Sequence, residues 1–190
     1  MIAAIILAAG ASTRLGEPKQ LVEIAGETLL ERAVRTARDA GCSPLIVVLG
    51  SGYVEILGNT RLGDAVPVIN AEWPEGMASS IRLGVRTLAF IAKATPGVVL
   101  MTCDQPAVTA SHLRALIATG LVTASSYAER RGVPAYFPNR SFAALMQLRG
   151  DLGARDLLRD SPVIDLPGGE LDIDTAPDLD TAKQLFGKHS

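Results

Sequence analysis

The stretch "IAAIILAAGASTRLGEPKQ", Ile2 to Gln20, decides the reading of the whole chain. Its first part, Ile2–Leu7, is an unbroken apolar run of strand length, and it ends on small residues instead of a tight turn. Next comes a long connection with two glycines and two cations, where a few residues would suffice. Gly10 and Gly16 permit backbone conformations and close approaches that a Cβ would block. Ala8, Ala9, Ala11 and Ser12 keep the loop small enough for several N–H groups to face one anion. Arg14 can fork onto phosphate oxygens, and Lys19 supplies a mobile point charge. A solvated polar connection is the alternative reading of the same residues.

Working outward, apolar runs recur at Leu45–Leu49, Val66–Ile69, Val98–Met101 and Val122–Ser126, with helical patterns between most of them. That alternation predicts an α/β fold with a mainly parallel sheet. Thr28 with Glu31 forms a capping-box pattern ahead of Leu29, Leu30, Ala33, Val34 and Ala37, and Gly41 stops that helix. Ile81, Val85, Leu88 and Ala92 repeat at helical spacing after Ser79 and Ser80, and Leu113, Leu116 and Ile117 do so after Thr109. A last helix should start near Thr175 and turn Leu179, Ala182 and Phe186 inward. Val133–Phe137 and Val163–Leu166 read as strands flanking a helical segment around Phe142–Leu148, so the sheet should have a mixed edge. Leu166–Gly169 reads as a turn.

At 190 residues and 48% hydrophobic content, one domain spanning 1–190 is expected. A net charge of −2 gives no field to attract nucleic acid or an anionic membrane. Cys42 and Cys103 have no CxxC spacing, and Ile2–Ala9 is too short to span a bilayer and lacks a basic leader; a cytoplasmic protein with reduced thiols is expected. The glycines do not make GxGxxG, no Lys-Ser or Lys-Thr follows Gly16 as in a P-loop, and there is no GxSxG elbow. His112 and His189 lack metal-ligand spacing.

Ligands of open α/β sheets bind beyond the carboxyl ends of the strands. "VVLMTCDQP" puts Asp104 at such an end, where its carboxylate can hold Mg2+ or merely sit in a turn closed by Pro106. "ELDIDTAPD" supplies Asp172 and Asp174, which would share one side of a strand, although Asp174 or Thr175 could instead cap the last helix. "EGMASS", Glu75–Ser80, combines a glycine with two hydroxyls at a helix start, suited to a sugar, a base edge or a phosphate, or to a simple cap. Trp73 could stack on a ring or anchor packing. Glu129, Arg130 and Arg131 read as a solvated turn.

The chain resembles the MobA-like nucleotidyltransferases, and within them the molybdenum cofactor cytidylyltransferases. The resemblance rests on LAAG followed by Ser, Arg, Gly, Pro and Lys across Leu7–Lys19. It continues in "GCSPLIVVLG" (41–50), "NAEWPEGMASSIRLGV" (70–85), "CDQPAV" (103–108), "GVPAYF" (132–137), "GDLGARDLL" (150–158) and "DIDTAPDL" (172–179), nearly the whole chain. It implies a three-layer α/β/α Rossmann-like nucleotidyltransferase fold with a mostly parallel, mixed-edge sheet. It implies Mg2+-dependent transfer of CMP from CTP to molybdopterin, with pyrophosphate released and the product passing to a molybdenum hydroxylase apoenzyme. Arg14, Lys19 and Asp104 would be catalytic. Leu7, Ala8, Ala9, Gly10, Ser12, Gly76, Met77 and Ser80 would hold the nucleotide. Asp104 would be the principal metal ligand, aided by Asp174 or Asp172. Guanylyl-transferring relatives carry Asn-rich versions of the last segment, so the acidic pair resembles the cytidylyl branch. Ala176-Pro177 departs from the usual Pro-Glu, and relatives tend to be smaller and less charged at 129–131.

Overall fold

The structure, a computed structural model, describes residues 1–12, 14–151 and 153–187. Chain order is β1 (Ala3–Ala8), β2 (Glu23–Ile24), β3 (Glu27–Thr28), α1 (Leu29–Asp39), β4 (Leu45–Leu49), α2 (Tyr53–Asn59), β5 (Val66–Ile69) and α3 (Met77–Ile91). It continues with β6 (Gly97–Thr102), α4 (Ala110–Ala118), β7 (Thr123–Tyr127), β8 (Arg130–Pro138), α5 (Phe142–Leu145), α6 (Arg155–Leu158), β9 (Val163–Asp165) and α7 (Ala176–Phe186). Seven strands form one sheet in the order β5-β4-β1-β6-β8-β7-β9, and β2 and β3 form a separate small hairpin. β1, buried on both faces as its apolar run predicts, is the centre of the parallel part.

Alternation along β1 divides the core in two. Ala4, Ile6 and Ala8 pack with Leu30, Val34 and Ile56 and with Leu113 and Leu116, the inner faces of α1, α2 and α4. Ala3, Ile5 and Leu7 pack with Ile81, Val85 and Leu88 of α3 and with Leu145 and Leu158. The sheet is therefore the middle of three layers, as expected. Full burial of each large aliphatic in these layers contributes about 1.5–3 kcal/mol.

The predicted caps form. Thr28 Oγ1 accepts from Glu31 N–H at 3.2 Å while Glu31 Oε2 accepts from Thr28 N–H at 3.1 Å. Thr109 caps α4, and Thr175 with Asp178 makes a second capping box at α7. Leu179, Ala182 and Phe186 do turn inward, but onto Val22, Ile24 and Ile173 beside the small hairpin and not onto the sheet. His189 lies outside the described residues. Among the described residues, no helix is long and apolar enough to cross a membrane.

Two boundaries differ from expectation, and both matter for the site. α3 begins at Met77, so Ser79 and Ser80 lie inside the helix. β8 begins at Arg130, so Arg130 and Arg131 belong to a strand, and only Ala128 and Glu129 make the turn, both at positive φ. β8 alone runs against the other six strands. Its amino end, with the tip of the β7–β8 hairpin, consequently stands at the carboxyl end of β6, where a parallel strand would have put only its exit.

Gly50, just after β4, fixes the neighbouring edge of the site. A Cβ there would lie 2.6 Å from the Ala9 carbonyl oxygen and 2.8 Å from Trp73 Cβ, contacts that backbone cannot yield. Gly50→Ala is expected to destabilise the fold by about 1–3 kcal/mol, as overpacking does. Urea unfolding with an unchanged slope checks it.

Candidate functional site

The loop after β1 folds back on itself so that Lys19 reaches the end of β6. Gln20, 1% exposed, donates its Nε2–H groups to the carbonyls of Ala8 at 2.7 Å and Gly10 at 3.2 Å, which sets the bend. Ser12 sits at φ 52° and its hydroxyl accepts from Lys19 N–H at 3.0 Å; Gly16 supplies a second left-handed position at φ 82°. Gly10 needs no positive φ, and its contribution is open space where a Cβ would stand.

Lys19 Nζ then donates to Asp104 at 2.5 Å and to Asp174 at 3.0 Å, and Arg14 donates to Asp174 at 2.6 Å. Burial works against the Lys19 charge. The adjoining Asp104 carboxylate overrides that, with help from Asp174, and holds the ammonium protonated above its ordinary range. The segment carrying Asp174 is tied down because Ile173 N–H donates to the Asp104 carbonyl at 3.0 Å. Residues 171–174 do not form the expected strand; Ile173 is buried between Asp172 and Asp174, which open onto different cavities while their charges stay close enough to act on one another. Thr175 is the helix cap, which leaves the Asp174 carboxylate to the cations.

Three hollows that share lining residues surround this group. Arg14, Lys19, Gly10, Ser12 and Asp174 line a small one of about 190 Å³. A second, of about 500 Å³, is walled by Leu7, Ala8, Ala9 and Gly10 on one side and by Gly76, Met77 and Ser80 on the other, so every expected nucleotide contact except Ser12 meets there, with Lys19 and Asp104. Ser80 is buried and its hydroxyl accepts from Asn70 Nδ2 at 2.9 Å, as Ser79 does at 2.8 Å. Asn70 Oδ1 accepts from Glu72 N–H, so this residue pins the loop that carries Trp73, and Trp73 both packs over Gly50 and lines the cavity.

The third hollow, about 580 Å³, lies on the other side of Met77, Thr102, Asp104 and Asp151, residues common to both large cavities. Its wall includes Gln105, Tyr127, Arg130, Arg131, Arg155 and Asp172. Asp151 and Arg155 fall in the "GDLGARDLL" stretch of the resemblance without a role having been assigned to them, and no motif pointed to Tyr127. Arg130 and Arg131, read as a solvated turn, stand on this wall because β8 starts earlier than its apolar residues do. Gln20 and Asn70 could have been suspected as polar residues directly beside strand or loop ends.

Among the described residues, no three acidic, His or Cys side chains form a ready cation cage. Lys19 bonds to both Asp104 and Asp174. The donor set nonetheless suits a hard divalent cation. Asp172 is pushed up to about 6 by burial and then by the nearby charges of Asp104 and Asp174, a crowding of carboxylates that such a cation relieves.

Residues 4–165 match the family model described as the MobA-like NTP transferase domain, which ends before Asp172. The nicotine blue oxidoreductase of Paenarthrobacter nicotinovorans is 30% identical over 97% of this chain and 95% of its own length. The purine catabolism protein PucB of Bacillus subtilis is 28% identical over 96% of each. The crystal structure of Rv0371c from Mycobacterium tuberculosis superposes with a TM-score of 0.82 at 32% identity, covering 96% of this chain and 97% of that one. The same protein as a complex with manganese gives 0.78 at 30% identity, covering 96% and 98%.

The elevated Asp172 value has a sign that can be tested in chelator-treated protein. Its folded value exceeds the ordinary 3.8, so the folded state holds the proton more tightly and the contribution of this group to stability is lost as pH rises from about 4 through about 6. Asp172→Asn should abolish that loss: the melting temperature of the variant gains on the wild type across this window and keeps a constant lead above it.

Proposed function

The chain belongs to the MobA-like NTP transferase family, and we propose on that premise that it transfers CMP from CTP to the phosphate of a molybdopterin-type acceptor, releasing pyrophosphate. The observation that carries the reading is the Lys19 ammonium in the 500 Å³ cavity, bonded to Asp174 and to Asp104, the carboxylate that this cavity shares with the 580 Å³ one. One cavity is lined by the small residues of the first loop and suits the nucleotide. The other, on the far side of Asp104, suits the acceptor.

In this scheme an acceptor phosphate oxygen attacks the α-phosphorus of CTP in line, the new P–O bond forms, and the bond to the β-phosphate oxygen breaks. The nucleophile is already anionic, so no general base is needed. What the protein must supply is proximity and charge compensation. Lys19 and Arg14, now shared with carboxylates, exchange them for phosphate oxygens and offset the charge on the departing pyrophosphate. Gln20 fixes the bend that presents the loop, and Asn70 fixes the opposite wall. A divalent cation of the Mg2+ type, held by Asp104 with Asp172 or Asp174, would neutralise phosphate charge and draw the two polyanions together when bound. The manganese complex of the mycobacterial relative supports such a cation. The product would then go to a molybdenum hydroxylase apoenzyme.

The oxidoreductase name of the Paenarthrobacter relative sets a competing reading, and one assay separates the two. With labelled CTP, Mg2+ and a molybdopterin-containing acceptor, pyrophosphate release is expected, and CTP is expected to raise the melting temperature more than GTP or UTP. Lys19→Ala should lower kcat by about 10²–10³-fold while changing the CTP KM far less, because the lost interaction is made chiefly in the transition state. Asp104→Asn should lose a comparable factor. Near-normal release in both variants removes the mechanism, and indifference to every triphosphate removes the activity.

A further inference from the structure

The 500 Å³ cavity holds a hydroxyl whose direction is fixed by its neighbours. Asn70, 4% exposed, stands at the exit of β5, and its N–H continues the β4–β5 ladder onto the Leu49 carbonyl at 2.7 Å. Its side-chain amide has one workable orientation, because Oδ1 accepts from Glu72 N–H at 3.0 Å and a turned amide would set its NH2 against that N–H. Both Nδ2 protons therefore go to hydroxyls, Ser79 at 2.8 Å and Ser80 at 2.9 Å.

The two serines differ in where their own protons go. Ser79 Oγ donates within the loop, to the Glu72 carbonyl at 3.0 Å or the Gly76 carbonyl at 2.9 Å. Ser80 Oγ has no such acceptor among the described residues, and this side chain, 3% exposed, lines the cavity. A buried hydroxyl needs a partner for its proton. The bond from Asn70 takes a lone pair and leaves the proton to be matched, so Ser80 is a donor toward whatever fills the cavity. An N–H facing it from a ligand would leave that proton buried without an acceptor.

We infer that Asn70, acting through Ser80, makes this cavity select a cytosine base over a uracil base. The inference rests on reading the cavity as the nucleotide side. The two pyrimidines have nearly the same shape, so packing separates them poorly. They differ at N3, a bare nitrogen that accepts in cytosine and an N–H that donates in uracil. A hydroxyl held as a donor matches the first and opposes the second. Asn70 is then a positioning residue: it touches no part of the nucleotide and sets the direction of the group that does.

The test is calorimetric titration of the full chain with CTP and with UTP in the presence of Mg2+. The wild type is expected to bind CTP about ten- to a hundredfold more tightly, the effect of leaving one buried donor without its acceptor. Ser80→Ala removes the donor, and the ratio should fall to near unity. Asn70→Asp keeps the shape and the bond from Glu72 N–H but offers the serines an acceptor. The Ser80 proton then turns onto the carboxylate, its oxygen faces the base, and UTP should bind more tightly than CTP. A residue that merely braced the loop would weaken both nucleotides alike. Melting of the nucleotide-free variants checks that they fold, and Ser80→Ala decides alone should Asn70→Asp not. No binding of either nucleotide or no CTP preference in the wild type, an unchanged ratio in Ser80→Ala, or a folded Asn70→Asp that still favours CTP overturns the inference. A ratio that follows the substitutions without pyrophosphate release would sink the transferase reading and leave this one standing; release from CTP with a ratio indifferent to the substitutions would do the reverse.

Discussion

Lys19 reaches across 85 residues to Asp104 and across 155 to Asp174, and this mostly buried cation joins three stretches of chain that share no secondary structure. Burying an ammonium is costly unless carboxylates stand beside it, and carboxylates collected in one place repel unless a cation stands among them. Each side of the arrangement is therefore tolerable only with the other present. The return of the first loop through Gln20, the bond from Ile173 to the Asp104 carbonyl and the capping of α7 by Thr175 all hold the partners at that meeting point. In the proposed reaction this dependence would let the group exchange partners, phosphate oxygens and a divalent ion replacing the charges that Lys19 and the carboxylates provide one another.

The sheet decides what surrounds that group. Parallel strands deliver their carboxyl ends to one edge, which is why the loops after β1, β5 and β6 can converge. The single reversed strand, β8, adds what a wholly parallel sheet could not: a hairpin rising at the same edge, with Tyr127 and Arg130 at its tip. One half of the cleft is thus built from small residues and backbone, and the other from a hairpin and long cationic side chains.

Much of this was legible because local chemistry and tertiary structure agree. The β1 run, the capping boxes at Thr28 and Thr175, and the position of Lys19 and Asp104 behind buried strands each carry a signal that needs no distant partner. α2 escaped notice because it starts on Gly52, at φ 67°, with no side-chain cap and only Ile56 fully buried. α6 escaped because four residues are too few for a periodic pattern. The start of β8 was misread because Arg130 and Arg131 look like turn residues, and only pairing with Ser126 and Tyr127 makes them a strand. Gln20 and Asn70 act through carbonyls and hydroxyls brought near by the fold, and composition is silent on that.

The partition between the two large cavities is built with almost no slack. A Cβ on Gly76 would lie 2.8 Å from Asp151 Cα, and one on Gly153 would lie 2.6 Å from Met77 Sδ. Ala78 N–H donates to the Gly150 carbonyl, and Arg82 clamps Glu75 with one side of its fork while holding the Leu148 carbonyl. Side-chain rotation alone cannot widen a seam made of main chain lying on main chain. A side chain added at Gly76 would have to move the backbone of Gly150 and Asp151, so the wall the two chambers share is set by the path of the chain.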